Sequence, residues 1–280
     1  MGKGMRHRAA RERLAEAHRR KAVGDRRRKM LVGVLGGLVM ASAAVIVVVA
    51  VAGKVSGGDR RAVAYRGPLA PVSRQADGSI LMAKKGVTGP TLEVFEDFQC
   101  PSCKRLEEAA GDAIKKAAAD GKARVIFRPF QLFRAPAQPE PAPSVSRRGA
   151  NAALCAPADR WASYTKTLFA YQPEEGREGF ENRELLNWAK DLGFRTPEFE
   201  KCVTGMQKAG DVDKSTRYAQ EQKVGSTPTL KLNGRALAQE QVNGLLSDPA
   251  GLERILAGAT SASDTSQGTS ISPPSGKGQG

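Results

Sequence analysis

Between residues 76 and 258 the apolar positions change period several times, and each change marks an element. Asp77-Gly78 reads as a hairpin turn that leads into a strand over 80–83. A second strand, over 91–98, carries Leu92, Val94, Phe95 and Phe98. From 101 to about 120 the apolar residues Leu106, Ala109, Ala110, Ile114 and Ala117 recur at spacings of three and four, which predicts a helix. Gly121 closes it, and 123–130 returns as a strand around Val125, Ile126 and Phe127. This strand–helix–strand unit implies a parallel pair. A Pro-rich loop over 135–143 follows. Helical patterns then occupy 151–156, 161–170, 183–192 and 197–222, with Trp161, Tyr164, Phe169 and Tyr171 as the expected core of the block. The strand over 227–232 meets Asn233-Gly234, a type I′ turn signal, and the chain returns over 235–237 before a last helix at 251–257. The order is βαβ, helical insertion, β-hairpin, helix, and the class is α/β.

Ahead of this domain the pattern differs in kind. Residues 1–29 carry a net charge of +9, so the rest of the chain holds only +6 of the total +15. Residues 30–53 then contain no charged side chain. A helix through 30–52 is roughly 34 Å long at about 1.5 Å per residue, enough for a hydrocarbon core of about 30 Å. Arg26-Arg27-Arg28-Lys29 abuts its start, and the positive-inside rule keeps that side cytoplasmic. A basic arm beside an apolar run points to a membrane; an evenly basic domain would have pointed to nucleic acid, which is not expected as a partner. The rival is a signal peptide cut after Ala52, since Ala50-Val51-Ala52 fits the small-x-small pattern. The run is longer than a cleavable core of about 7–15 residues, which favours an uncleaved anchor. The chain thus divides into a cytoplasmic arm (1–29), an anchor (30–53), a linker (54–75), an exported domain (76–258, helical insertion about 144–222) and a disordered Gly/Ser-rich tail (259–280).

The chemistry sits where a strand ends and a helix begins, at Cys100-Pro101-Ser102-Cys103. One helical turn brings the two sulfurs within disulfide reach. Pro101 is preset for the first helical position. The free N–H groups of the helix start stabilise a thiolate at Cys100, and the Ser102 hydroxyl is placed to add a hydrogen bond. Cys103, one turn in, is expected to be buried and to act as the resolving thiol. A zinc site would need two further ligands. The histidines, His7 and His18, fall on the other side of the expected span, and Cys155 and Cys202 lack metal spacing, so neither metal nor cofactor is expected. Cys155 and Cys202 both fall in the helical insertion, and in an exported chain they suggest a structural bridge.

These residues resemble the DsbA-like branch of the thioredoxin-fold oxidoreductases. The resemblance runs from about 76 to 258. It rests on Cys-Pro-Ser-Cys after a strand, on Ser226-Thr227-Pro228-Thr229 as the loop facing the cysteines, and on the long helical insertion. It implies a thioredoxin fold with an all-α insertion, a cis Pro228, and a Thr227 backbone offered to an extended substrate strand. Two positions depart from the family. Ser102 stands where many relatives have His, and Val94 stands where many have a buried acid. Strand alternation puts Glu96 on the same face as Val94. Two readings of Glu96 stand: a buried acid that shuttles the Cys103 proton, or a solvated side chain.

The expected function is a membrane-anchored extracytoplasmic protein thiol–disulfide oxidoreductase with a monomeric catalytic domain. Cys100 exchanges with client cysteines and Cys103 resolves the mixed disulfide. The resemblance implies exported client proteins and a quinone-linked membrane partner of the vitamin K epoxide reductase-like kind. Oxidation of clients is the expected direction; the rivals are a reductase or isomerase and, from another class, a non-enzymatic anchored binding module.

Overall fold

The computed structural model describes residues 60–265. The basic arm and the apolar run at 30–53 lie outside them, and among the described residues no helix is long and apolar enough to cross a membrane. Six strands form one sheet: β1 (Val72–Arg74), β2 (Ile80–Met82), β3 (Thr91–Glu96), β4 (Arg124–Pro129), β5 (Thr229–Leu232) and β6 (Arg235–Ala236). Their order is β1-β2-β4-β3-β5-β6. Only β3 and β4 run parallel, with Leu92 opposite Val125 and Val94 opposite Phe127. β3 is paired on both sides and covered on both faces, which explains why its pattern is apolar with little alternation.

One helical rod follows β3, in three pieces: α1 (Pro101–Leu106), a π-helical turn (Glu107–Gly111) and α2 (Asp112–Ala119). The insertion supplies α3 (Ala142–Cys155), α4 (Trp161–Ala170), α5 (Asn182–Asp191), α6 (Pro197–Thr204) and α7 (Ala209–Glu221), and the chain closes with α8 (Gln239–Ser247) and α9 (Gly251–Thr265). Leu92, Val94, Val125 and Phe127 belong to the main core, which also holds Leu106 and Ile114 of the rod. Phe95 and Phe130 point the other way and pack with Ala219 of α7 and Val224.

Several boundaries differ from the sequence expectation. Within the segment assigned to a linker (54–75), the described residues from 61 onward pack on the domain. Residues 61–68 lie along α4, where the Val63 N–H donates to Thr167 Oγ1 (3.0 Å) and the Tyr65 N–H to Ser163 Oγ (3.1 Å). β1 then joins the sheet, and its Arg74 guanidinium donates to the carbonyls of Leu154 and Ala156 at the end of α3. Such contacts reach across 80 residues and leave no local trace. Helix α3 begins nine residues earlier than expected, because Pro141 and Pro143 sit at its cap and first turn, where no N–H is needed. The expected helix over 197–222 breaks at Gly205–Met206, where Met206 adopts φ 48°. Helix α8 was not foreseen, since its buried apolar residues are Val242 and Leu245 alone. Helix α9 runs to Thr265, so 259–265, expected as disordered tail, are helical.

Candidate active site

Cys100 is the N-cap of α1, in extended conformation (φ −81°, ψ 117°), with Pro101 just inside the helix. Its carbonyl accepts the N–H groups of Cys103 (3.1 Å) and Lys104 (3.3 Å), which starts the first turn. Both cysteines are free thiols, and they are 7% and 2% exposed respectively. The Cys103 thiol is hydrogen-bonded to Cys100 and pulls its pKa down to about 6 against the opposing effect of burial; the N–H groups of Cys103 and Ser102 assist. Cys103 moves the other way. Burial and the adjacent Cys100 push it well above the ordinary thiol range. One sulfur is thus prepared to ionise and the other to hold its proton.

Across from the pair lies the loop before β5. The Thr227–Pro228 peptide bond is cis, and the Cys100 thiol donates to the Thr227 carbonyl (3.4 Å). The Thr227 hydroxyl is buried without a hydrogen-bond partner in this state. The sequence expectation for Ser102 needs correction. Its hydroxyl accepts from Arg105, one turn on, at 2.7 Å. What reaches the Cys100 sulfur is the Ser102 backbone N–H.

Behind Cys103 is a cleft of about 10 Å³ lined by Glu96, Glu107, Phe127 and Pro228 together with Cys103 itself. Glu96 is 6% exposed, and its Oε1 has no hydrogen-bond partner. Burial, reinforced by the charge of Glu107 and opposed by Lys115, raises its pKa to about 8. Lys115 is 1% exposed; its ammonium donates to both Glu107 oxygens (2.7 Å each) and to the Gly111 carbonyl (3.3 Å). The π turn makes this possible. Its wider coil sets Glu107 and Gly111 on the core side, and a Cβ at Gly111 would lie 2.2 Å from Glu107 Oε2.

On the other side of the cysteines, Asp97 is fully buried and ties three segments together. Its carboxylate accepts from the N–H of Gln99 (2.8 Å), the N–H groups of Leu132 (2.7 Å) and Phe133 (3.3 Å), and the Ser146 hydroxyl (2.7 Å). Burial still raises its pKa to about 6. Farther off, Cys155 and Cys202 are joined by a disulfide that links α3 to α6. The sequence reading passed over Gln99, Glu107, Lys115 and Gln172. The two charged residues look like a solvated helix face until the π turn rotates them inward. Gln99 precedes Cys100 directly, but the partners of both glutamines lie more than 70 residues away along the chain.

Solved structures share this fold. MdbA from Corynebacterium diphtheriae, a thiol-disulfide oxidoreductase, superposes with a TM-score of 0.53 at 18% identity, over 66% of this chain and 96% of its own. BdbD from Bacillus subtilis, in its oxidised form, gives 0.53 at 19% identity, over 71% and 98%. MdbA from Corynebacterium matruchotii gives 0.51 at 18%, over 66% and 92%. At such identities the likeness is one of fold. No curated protein sequence matches the chain. The family model described as thioredoxin matches residues 88–248, from just ahead of β3 to the end of α8, and with more than half of its length so matched the chain belongs to the thioredoxin family.

Proposed function

We propose that this chain is a membrane-anchored, extracytoplasmic thiol–disulfide oxidoreductase that oxidises cysteine pairs in exported proteins. The observation that carries the reading is the divided pair. Cys100 sits at a helix start with its pKa drawn down to about 6, while Cys103 behind it is pushed up by burial. The apolar run at 30–53 and the basic residues before it support the anchor and the export of all that follows.

In the oxidising direction the site works from its disulfide form. A client thiolate attacks Cys100 Sγ; the Cys100–Cys103 bond breaks and Cys103 leaves as a thiolate. That thiolate is buried and needs a proton. Glu96, protonated at neutral pH with its pKa near 8 and lining the same cleft, supplies it. A second client thiolate then attacks the client sulfur of the mixed disulfide, and Cys100 departs as the stabilised thiolate. The client has lost two electrons and the pair has gained them. Thr227 and Pro228, opposite Cys100, position the client strand during both attacks. A quinone-linked membrane partner of the vitamin K epoxide reductase-like kind returns the pair to its disulfide.

Trapping tests this. Cys103→Ser should accumulate mixed disulfides between Cys100 and exported proteins, and Cys100→Ser should accumulate none while leaving those proteins under-oxidised. Alkylation in growing cells should find the wild-type pair mostly as a disulfide. A mostly reduced pair would reverse the direction to reductase or isomerase, and an absence of mixed disulfides would remove the exchange reaction altogether.

A further inference from the structure

The catalytic loop is gripped from outside the thioredoxin core. Gln172, two residues past α4 in the helical insertion, donates from Nε2 to the carbonyls of Phe98 (2.8 Å) and Cys100 (3.0 Å). The contact is returned. Gln99, fully buried between those two residues, donates from its own Nε2 to the carbonyls of Pro173 (3.2 Å) and Glu174 (3.3 Å). Two side-chain amides thus cross in opposite directions and lock one loop to the other. Beside them the rings of Phe98 and Phe169 meet at 4.7 Å between centroids, so the end of α4 is fixed against the loop by packing as well.

We propose that Gln172 is a positioning residue for thiol–disulfide exchange, holding the Cys100 backbone so that its sulfur stays over the first-turn N–H groups of α1. This rests on the reading of Cys100 as the exchanging thiol. The Cys100 carbonyl already serves the N–H groups of Cys103 and Lys104, and the Gln172 amide fixes the plane of the peptide that carries it. The same amide also serves the Phe98 carbonyl, two residues before Cys100, so one side chain holds the backbone at two points of the loop. A glutamine fits the task, because one NH₂ provides two donors without bringing a charge that would act on the sulfur by itself. The same lock makes the helical insertion part of the redox site.

The test uses Gln172→Met, which keeps the length and volume and removes the donors, with the equally uncharged Gln172→Leu as the second variant should the first not fold. Thiolate absorbance titrates Cys100, and equilibration with glutathione gives the exchange constant. The Cys100 midpoint should rise by about one pH unit, and at pH 7 the disulfide should become roughly fivefold harder to reduce. Gln99→Met should shift the midpoint in the same direction by breaking the other half of the lock. A lower melting temperature with an unmoved midpoint and exchange constant would make Gln172 structural only and overturn the proposal. A wild-type pair that titrates but does not exchange with glutathione would instead overturn the functional reading, and the midpoint comparison would still decide the role of Gln172.

Discussion

A carboxylic acid and a thiol share the cleft behind the nucleophile, and each is held in its protonated form by burial. For Glu96 this has two measurable consequences. Its folded pKa of about 8 lies above the ordinary 4.5, so the folded chain binds this proton more tightly than the unfolded chain. The stability that confers is complete below about pH 4.5 and is lost as pH rises through about 8. Asp97, raised to about 6, adds a loss of the same sign between about pH 4 and 6. Cys100, drawn down to about 6, adds a gain of the opposite sign above that pH, so the contribution of Glu96 is read as a difference: from pH 5 to 8 the urea stability of wild type should fall relative to that of Glu96→Gln by a few kcal/mol, on the order of 3. The same variant should slow expulsion of Cys103 by about a hundredfold, the usual worth of one general acid, with Cys100 titrating as before. Stopped-flow reaction with a model dithiol reads this, and an unchanged rate would return Glu96 to a packing role. Alternation along β3 was enough to place Glu96 on the face of Val94. It was not enough to choose between a buried and a solvated side chain, because the residues that bury it arrive from the π turn and α2.

That π turn is the element on which the buried charges depend. Glu107 and Lys115 are eight residues apart, a spacing that an uninterrupted helix would not bring onto a single contact, and Gly111 leaves the room between them that the Glu107 carboxylate fills. Gly111→Ala should push that carboxylate away from Lys115 and leave a buried ammonium with the carbonyl of residue 111 and no counter-charge. The expected loss is on the order of 3 kcal/mol by chemical denaturation. Helix propensity, which favours Ala over Gly by about 1 kcal/mol, predicts the opposite sign. Strands, by contrast, were largely legible: β3, β4 and β5 lie within their expected ranges, since buried central strands announce themselves as short apolar runs bounded by turns. Helices of the insertion were legible by position but not by end. Their limits are set by Pro141 at a cap and by Met206 at φ 48°, which neither periodicity nor composition encodes.

For the molecule as a whole, the cysteines were the most readable feature and the glutamine lock the least. Spacing and strand–helix context picked out Cys100 and Cys103, while Gln99 and Gln172 look like surface residues until the insertion folds back on the catalytic loop. The bridge between Cys155 and Cys202 joins positions 47 residues apart, and closing a loop of that size is worth about 4 kcal/mol in the chain-entropy description. Cys202→Ala should lower stability by roughly that amount and leave the Cys100 titration unmoved. The bridge also bears on how the protein comes into being. A chain proposed to make disulfides in others carries one that must be made in itself, so each new copy is also a client. Finished copies would then hasten the completion of those that follow, and production restarted in a culture emptied of the protein should show a lag followed by acceleration. Pulse labelling with thiol trapping would see this self-priming as a sigmoidal gain of the Cys155–Cys202 bond. A simple exponential from time zero would mean that another oxidant completes the chain, and that the enzyme plays no part in its own maturation.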